Sequence, residues 1–475
     1  MTRTREAAFF DLDRTLLGGA SGPVITEALR GAGVIPDRPI PGENLVYRLF
    51  DVVGETLPSM LLTRQAARLA GGWDRAVVQE AGEVVAERLA DDVLPYARLL
   101  IDEHHAAGRL VVMATTSPYD LVAPLAKAIG IDHVIATRYG EREGAYDGTV
   151  DGHFVWGPGK LAAARDWAAD NGVDVARSWA YSDSIYDLPL LSAVAHPTAV
   201  NPDPRLRVIA AVRRWPSMHF DVPAGVPKVA GVEPQRALQI LAQPALFPWA
   251  RFDIQGTERI PHDGPLILVG NHRSYFDPLA IGFTIAKVGR PLRFLGKKEV
   301  FDAPIVGQIA TAMGGIRVDR GTGSDEPLKA AAEALDAGEA VAIMPQGTIP
   351  RGRAFYDPEL TGRWGAAKLA KMTKAPVIPV GLWGTERVWP RSSRFPNVTN
   401  ITDPPTVRIR VGPPVDLKYR SLDADTRRMM AAIVDLLPAA ARRHREPTAE
   451  EIARALPPGA TDPGTPEDRR RPGTD

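Results

Sequence analysis

The chain contains no cysteine. Disulfides, thiolate-held metals and a cysteine nucleophile are excluded, and the composition suits a reducing cytoplasm. It also carries no net charge, because 57 Lys and Arg balance 57 Asp and Glu. No global field draws it to nucleic acid or to a membrane, so any such preference must come from local patches. Long apolar runs are missing too: no stretch approaches the roughly 20 apolar residues of a membrane-spanning helix. The opening MTRTREAAFFDLDRTLL has basic residues and a short apolar run. Asp11 and Asp13 interrupt that run, which a secretory apolar region would not tolerate. These absences lead to the expectation of a cytoplasmic protein that binds no nucleic acid. Any contact with lipid would be peripheral, at the inner face of the plasma membrane.

What is present points to two globular domains. At 475 residues the chain is too long for one ordinary hydrophobic core, and 45% hydrophobic against 24% charged residues is a globular balance. In the first 200 residues, apolar strand-like runs at Ala7–Phe10, Leu110–Ala114 and Trp179–Tyr181 alternate with helical stretches such as Lys160–Asn171. That alternation predicts a parallel sheet with helices on both faces. A long helical insertion, about residues 18–92, separates the first two strands and has the size of a cap. Residues 201–240 are rich in proline and read as a linker. A second α/β pattern, 241–443, has strand-like runs at Pro265–Val269, Ala340–Pro345 and Val377–Leu382. The charged, proline-rich 444–475 reads as a disordered tail with room for one short helix.

The first strand delivers Asp11-Leu12-Asp13-Arg14-Thr15 at its C-terminal end, where open α/β sheets place ligands. Residues two apart in an extended segment point the same way, so both carboxylates can face one site. Phosphoryl transfer through an aspartyl-phosphate needs such a pair, one as nucleophile and one as general acid and base. A polar turn capping a helix would also explain D-x-D-x-T taken alone. Further along stand Thr115-Thr116-Ser117 after the second strand and Gly159-Lys160 at a helix start. Asp183 and Asp187 follow the third strand, and their oxygen ligands suit Mg²⁺.

These four blocks, in order, resemble the motifs of the haloacid-dehalogenase (HAD) phosphatase superfamily, in particular the subgroup containing phosphoserine phosphatase. The resemblance covers roughly the first 200 residues and implies a Rossmann-like three-layer α/β/α domain with a helical cap. It implies Asp11 as nucleophile and Asp13 as general acid/base. Thr115 and Lys160 would hold the phosphate, and Asp11, Asp13, Asp183 and Asp187 would form the Mg²⁺ site. Thr116 is an alternative for the hydroxyl of the second motif.

In the second pattern, the strand Pro265–Val269 leads into Gly270-Asn271-His272-Arg273-Ser274-Tyr275-Phe276-Asp277-Pro278. An imidazole can take the proton from an alcohol attacking a thioester, and a carboxylate can fix its tautomer. The H-x₄-D spacing lets the two meet. Asp277-Pro278 would equally serve as a helix cap followed by an N1 proline. Three further blocks follow: Gly314 to Arg320, with an arginine able to fork onto phosphate; Gln346-Gly347-Thr348-Ile349-Pro350-Arg351, a loop whose amides can cradle an anion; and the strand Val377–Val380.

Together these blocks resemble the glycerolipid acyltransferases, specifically the 1-acylglycerol-3-phosphate (lysophosphatidate) acyltransferases, over about residues 245–415. The resemblance implies an acyltransferase α/β domain with His272 as base and Asp277 as its partner. Arg320 would bind the glycerol phosphate, with Gln346, Gly347 and Thr348 lining the acceptor pocket. The donor would be acyl-CoA or acyl carrier protein and the acceptor a lysophospholipid. The third motif usually carries glutamate where this chain has Gln346, and its usual arginine is displaced, leaving Arg351 as a substitute.

Two segments look suited to a membrane surface: the apolar Gln235–Phe252, with Phe247, Trp249 and Phe252, and the basic cluster Lys287, Arg290, Arg293, Lys297 and Lys298. The combined expectation is a bifunctional glycerophospholipid enzyme, hydrolysing a phosphomonoester with its first half and acylating lysophosphatidate with its second. The alternative is an active phosphatase whose second half is a lipid-binding or regulatory module.

Overall fold

A computed structural model describes residues 5–36, 65–223, 225–228, 231–239, 243–302, 306–318 and 326–460. The chain divides into two compact units, Met1–Ala224 and Gly225–Asp475.

The first unit is built on a seven-stranded sheet: β1 (Ala7–Phe10), β2 (Leu110–Pro118), β3 (His133–Arg142), β4 (Ala145–Asp151), β5 (Trp179–Ser182), β6 (His196–Val200) and β7 (Ser217–Met218), in the order β4-β3-β2-β1-β5-β6-β7. All neighbours are parallel except β3 and β4. Central β1 is buried along its whole length. Its residues alternate between two cores: Ala8 and Phe10 join Val111 and Met113 on one face, Ala7 and Phe9 join Val112 and Ala114 on the other. Continuous apolar runs of this kind mark strands covered on both faces. The apolar pattern gives no sign of the antiparallel β3–β4 pair at one edge.

Within the insertion read as a cap, residues 37–64 lie outside the described residues. Two helices on either side are described, Gly22–Gly31 and Arg75–Leu89. The latter starts at Asp74, whose side chain accepts from the Ala76 and Val77 amides. It buries Val78, Ala81, Val85 and Leu89 at helical spacing. Arg75 then forks onto Asp120 of the helix Tyr119–Ala128, at 3.1 and 3.2 Å. The Tyr146 hydroxyl and the Gln79 amide donate to the same carboxylate. These donors hold Asp120 below the usual carboxylate range despite its partial burial.

The stretch 201–240 differs from a plain linker. The Asp203 side chain caps the helix Pro204–Arg213, and β7 pairs with β6, so its first part belongs to the first sheet. A proline at the first helical position promotes a helix, which is how a proline-rich segment becomes structured.

The second unit has its own seven strands: β8 (Arg251–Gln255), β9 (Leu266–Gly270), β10 (Leu292–Lys297), β11 (Gly315–Val318), β12 (Ala340–Ile343), β13 (Val377–Trp383) and β14 (Thr406–Val411), ordered β11-β10-β12-β9-β13-β14-β8. Only β13 and β14 run antiparallel. Leu266 and Leu268 of β9 face one core, Ile267 and Val269 the other. Both units are thus α/β, with mostly parallel sheets covered on both faces. No helix among the described residues is long and apolar enough to cross a membrane.

Much of both segments expected to meet a membrane packs into this unit, while Leu246 and Lys287 stay exposed. Phe247 and Phe252 pack edge-on against Phe283, with centroids at 4.6 and 4.9 Å, and Trp249 packs on the same core. Arg290 is buried, donating to the carbonyls of Pro261, Asp263, Gly264 and Gly338. Arg293 is buried between Glu233 and Glu339. The Lys297 side chain lies outside the described residues. In the segment read as a tail, Thr448 and Glu451 form a capping box for the helix Ala449–Arg454. Ala455 packs there with Ile349 and Phe355, while 461–475 lie outside the described residues.

Candidate active sites

Parallel strands bring their C-terminal ends to one edge, so β1, β2 and β5 deliver Asp11, Thr115 and Asp183 to the same side of the first sheet. The Asp11 amide donates to the Tyr181 carbonyl across to β5, at 3.0 Å. Beyond it the chain coils through Leu12–Leu16, with Arg14 left-handed at φ 58°. Lys160, in the helix Pro158–Asn171, is 1% exposed. Its Nζ lies 2.8 Å from Asp11 Oδ1 and 2.6 Å from Asp187 Oδ2. Two carboxylates offset the desolvation of this ammonium, so Lys160 is no solvated surface lysine. The Ser182 hydroxyl donates to the same Asp187 oxygen, at 2.7 Å.

Thr115 is buried and its hydroxyl accepts from the Ser117 amide. Thr116 instead spends its hydroxyl hydrogen on the Val155 carbonyl, at 2.9 Å. Asp13 accepts from the Ser21 amide at 2.6 Å. Asp183 Oδ2 lies 3.2 Å from Arg14 Nε. The four carboxylates expected at a metal site are therefore not gathered as a ligand cluster among the described residues. Lys160 stands between Asp11 and Asp187, and Arg14 pairs with Asp183. Two observations nonetheless fit a hard cation at this edge: the donors are all oxygens, and Asp187 Oδ1 is buried without a hydrogen-bond partner.

Asp203 carries no signature of the four blocks, yet it supports the site. Buried, it accepts from the Arg205 and Leu206 amides through Oδ1 and from the Ile185 amide through Oδ2, while its own amide donates to the Asp183 carbonyl. It ties the loop carrying Asp183 and Asp187 to the next helix. The signal in the sequence is Asp203-Pro204, a cap followed by an N1 proline. His104 lies under β5 with Nε2 2.9 Å from the Tyr181 hydroxyl, and its Nδ1 accepts from Arg109 Nε at 2.7 Å. Burial, then the Arg109 charge, lowers its pKa from 6.5 to about 3. The ring is neutral, with its proton on Nε2.

In the second unit β9, β12 and β13 deliver the corresponding loops to one edge. His272 Nδ1 lies 2.8 Å from Asp277 Oδ2, and that oxygen also accepts from the Arg273 and Ser274 amides at 2.6 and 2.7 Å. Asp277 is wholly buried and opens the helix Asp277–Ala286 with Pro278 in its first turn. It thus orders the loop and holds the imidazole at once. An ionised carboxylate only accepts, so Nδ1 carries the proton and Nε2 is left with its lone pair.

Gln346 reaches the same loop, its Oε1 accepting from the His272 amide at 2.7 Å. An amide oxygen fills this acceptor role as a carboxylate would. Gly347 turns the loop at φ 72°, and Thr348 is half-buried beside it. Arg320 lies outside the described residues, and Arg351 is exposed. Two further supports flank His272 within the same block, with no role assigned to them by the sequence. The Asn271 side chain donates to the Leu382 carbonyl and accepts from the Leu382 amide, locking β9 to β13. The Arg273 guanidinium pairs with Glu386 and lies 4.3 and 4.2 Å from the rings of Phe355 and Trp383.

Comparisons with known proteins bear on each unit separately. The family model for haloacid dehalogenase-like hydrolases matches residues 8–192, and an acyltransferase family model matches 251–383. An inhibition of morphological differentiation protein of Streptomyces azureus is 38% identical over 46% of this chain and 80% of its own length. A probable phosphatase of Mycobacterium tuberculosis is 37% identical over 47% of this chain and 78% of its own. A phosphoserine phosphatase of that organism is 32% identical over 46% and 71%. A crystal structure of the 1-acyl-sn-glycerophosphate acyltransferase of Thermotoga maritima is 24% identical with a TM-score of 0.33, covering 42% of this chain and 76% of that one. The chain belongs to the haloacid dehalogenase-like hydrolases and carries an acyltransferase domain as its second part.

Proposed function

We propose a bifunctional enzyme of glycerophospholipid synthesis, in which the second unit acylates 1-acylglycerol-3-phosphate and the first hydrolyses a phosphomonoester. The observation that carries the first claim is the His272–Asp277 pair, with the His272 amide seated on Gln346. His272 Nε2 takes the proton of the acceptor hydroxyl as its oxygen attacks the thioester carbonyl of acyl-CoA or acyl carrier protein. The new C–O bond forms, the C–S bond breaks, and the thiolate recovers the proton from the imidazolium. Asp277 stabilises that cation. The Gln346-Gly347-Thr348 loop, together with Arg320, receives the acceptor's phosphate.

In the first unit Asp11 attacks phosphorus, the bond to the leaving oxygen breaks, and Asp13 donates the proton to it. Asp13 then takes a proton from the water that hydrolyses the aspartyl-phosphate, releasing inorganic phosphate. Lys160 and Thr115 hold the phosphoryl oxygens. Asp11, Asp13, Asp183 and Asp187 would hold Mg²⁺, which neutralises phosphoryl charge when bound.

A paired assay tests both halves. Asp11→Asn abolishes Mg²⁺-dependent phosphatase activity and spares acyl transfer, and His272→Ala does the reverse. Wild-type protein unable to acylate lysophosphatidate from either donor would make the second unit a binding module.

A further inference from the structure

Among the described residues of the second unit, the exposed large apolar side chains other than Leu246 lie outside Gln235–Phe252. Residues 389–405 connect the helix Thr385–Val388 to β14 without secondary structure of their own. Connections of this length inside a compact unit are uncommon and usually functional. On this one Phe395, Val398 and Ile401 are 77%, 45% and 60% exposed. They do not sit on a frayed tip. The Asn397 amide donates to the Val388 carbonyl at 2.8 Å, and the Ser393 hydroxyl brackets Phe395, accepting from its amide and donating to its carbonyl. Trp389 Nε1 donates to the Ser393 carbonyl at 3.2 Å.

The other end of this connection touches the catalytic loop. The Ser274 hydroxyl donates to the Trp389 carbonyl at 2.6 Å, and the Tyr275 and Trp389 rings lie 5.7 Å apart. Tyr275 and, one helical turn on, Leu279 are themselves 47% and 43% exposed. Tyr275, three residues past His272, thus reaches through Trp389 to the segment that carries Phe395. Between Glu386 and Asp403 the exposed charges are Arg387 and Arg394, and no carboxylate intervenes. Glu386 is held by Arg273, and Arg391 is buried against the Ile349 and Pro350 carbonyls.

Ordered apolar side chains flanked by exposed arginines fit an anionic bilayer, the first entering the acyl boundary and the second meeting headgroups. We infer that residues 389–401 dock the second unit onto an anionic lipid surface and present its acceptor to His272 from the bilayer. The choice of a lipid surface over a protein partner rests on the acyltransferase reading.

The test is co-sedimentation of the full chain with phosphatidylglycerol–phosphatidylcholine vesicles and with phosphatidylcholine alone. Phe395→Ser/Ile401→Ser is expected to lower the affinity for anionic vesicles about tenfold. Transfer to lysophosphatidate embedded in the vesicles falls with it, while transfer to a short-chain acceptor below its micelle concentration is unchanged. Arg394→Glu weakens binding to the anionic vesicles alone. Wild-type protein that does not sediment with anionic vesicles overturns the inference, as does a double variant that binds like wild type. So does a wild-type dimer, or a complex with acyl carrier protein, that the double variant breaks while vesicle binding persists. Vesicle binding lost in the variant, with no transfer to either acceptor by wild type, overturns the acyltransferase reading and leaves the docking standing.

Discussion

Gln346 shows how one atom can keep a contact although the residue type differs from the usual glutamate. Its amide oxygen accepts the hydrogen bond from the His272 amide, so the charge of a glutamate is not needed to seat that backbone. Gln346→Glu is expected to acylate at a rate within a few-fold of wild type. Gln346→Leu leaves the amide unpaired and lowers kcat/KM about tenfold, the cost of roughly one lost hydrogen bond. Steady-state kinetics with lysophosphatidate separates the two outcomes. His104 yields a residue-scale prediction of another kind. In the unfolded chain it protonates near 6.5, but in the fold only near 3. Below pH 6.5 the unfolded state therefore binds the extra proton, and the stability this residue contributes above 6.5 is lost progressively as pH falls toward 3. His104→Gln can accept from Arg109 and donate to Tyr181 without titrating. Urea midpoints compared from about pH 7 to about pH 5 should fall less steeply for the variant than for wild type.

At the level of elements, the helix Arg75–Leu89 approaches the helix Tyr119–Ala128 so closely that a Cβ on Gly82 would lie 2.3 Å from the Asp120 carbonyl oxygen. Alanine is the better helix former by about 1 kcal/mol, yet here it must push two backbones apart. Gly82→Ala is expected to destabilise the first unit by about 1–3 kcal/mol, the usual cost of overpacking. A raised melting temperature would show that the helices part freely. Several elements are legible in the sequence itself. Ala7–Phe10 is a strand as read, and Leu110–Ala114, Trp179–Tyr181 and Val377–Leu382 fall within β2, β5 and β13, because runs of apolar residues bounded by polar loops admit few alternatives. The strands β4 and β14 carry no such run: β14 instead alternates, with Val407, Ile409 and Val411 buried between more exposed Thr406, Arg408 and Arg410.

For the whole molecule, the division at 224 and 225 places Asp203, β7 and the buried Phe220 in the first unit. A fragment of residues 1–224 is accordingly expected to unfold cooperatively and to retain the phosphatase activity proposed above. A fragment ending at Val200 loses the carboxylate that ties down the Asp183 loop, and should lose that activity. Asp203→Ala in the full chain separates this tie from the missing strand. A fragment ending at Val200 that stays stable and active would show that the tie is dispensable. The sequence by itself determined the two α/β units and most of the residues at their strand ends. Those assignments rest on short-range spacing: D-x-D at a strand end, H-x₄-D on a loop, a lysine at a helix start. Tertiary structure alone decided which charges are available. Arg290 and Arg293 read as a basic surface, and folding buries them against carbonyls and carboxylates from distant segments. Likewise the sequence places Lys160 at a helix start, and only the fold brings Asp11 and Asp187 to it. Local spacing records which face a residue points to, whereas the groups it meets there are set by contacts between residues far apart in the chain.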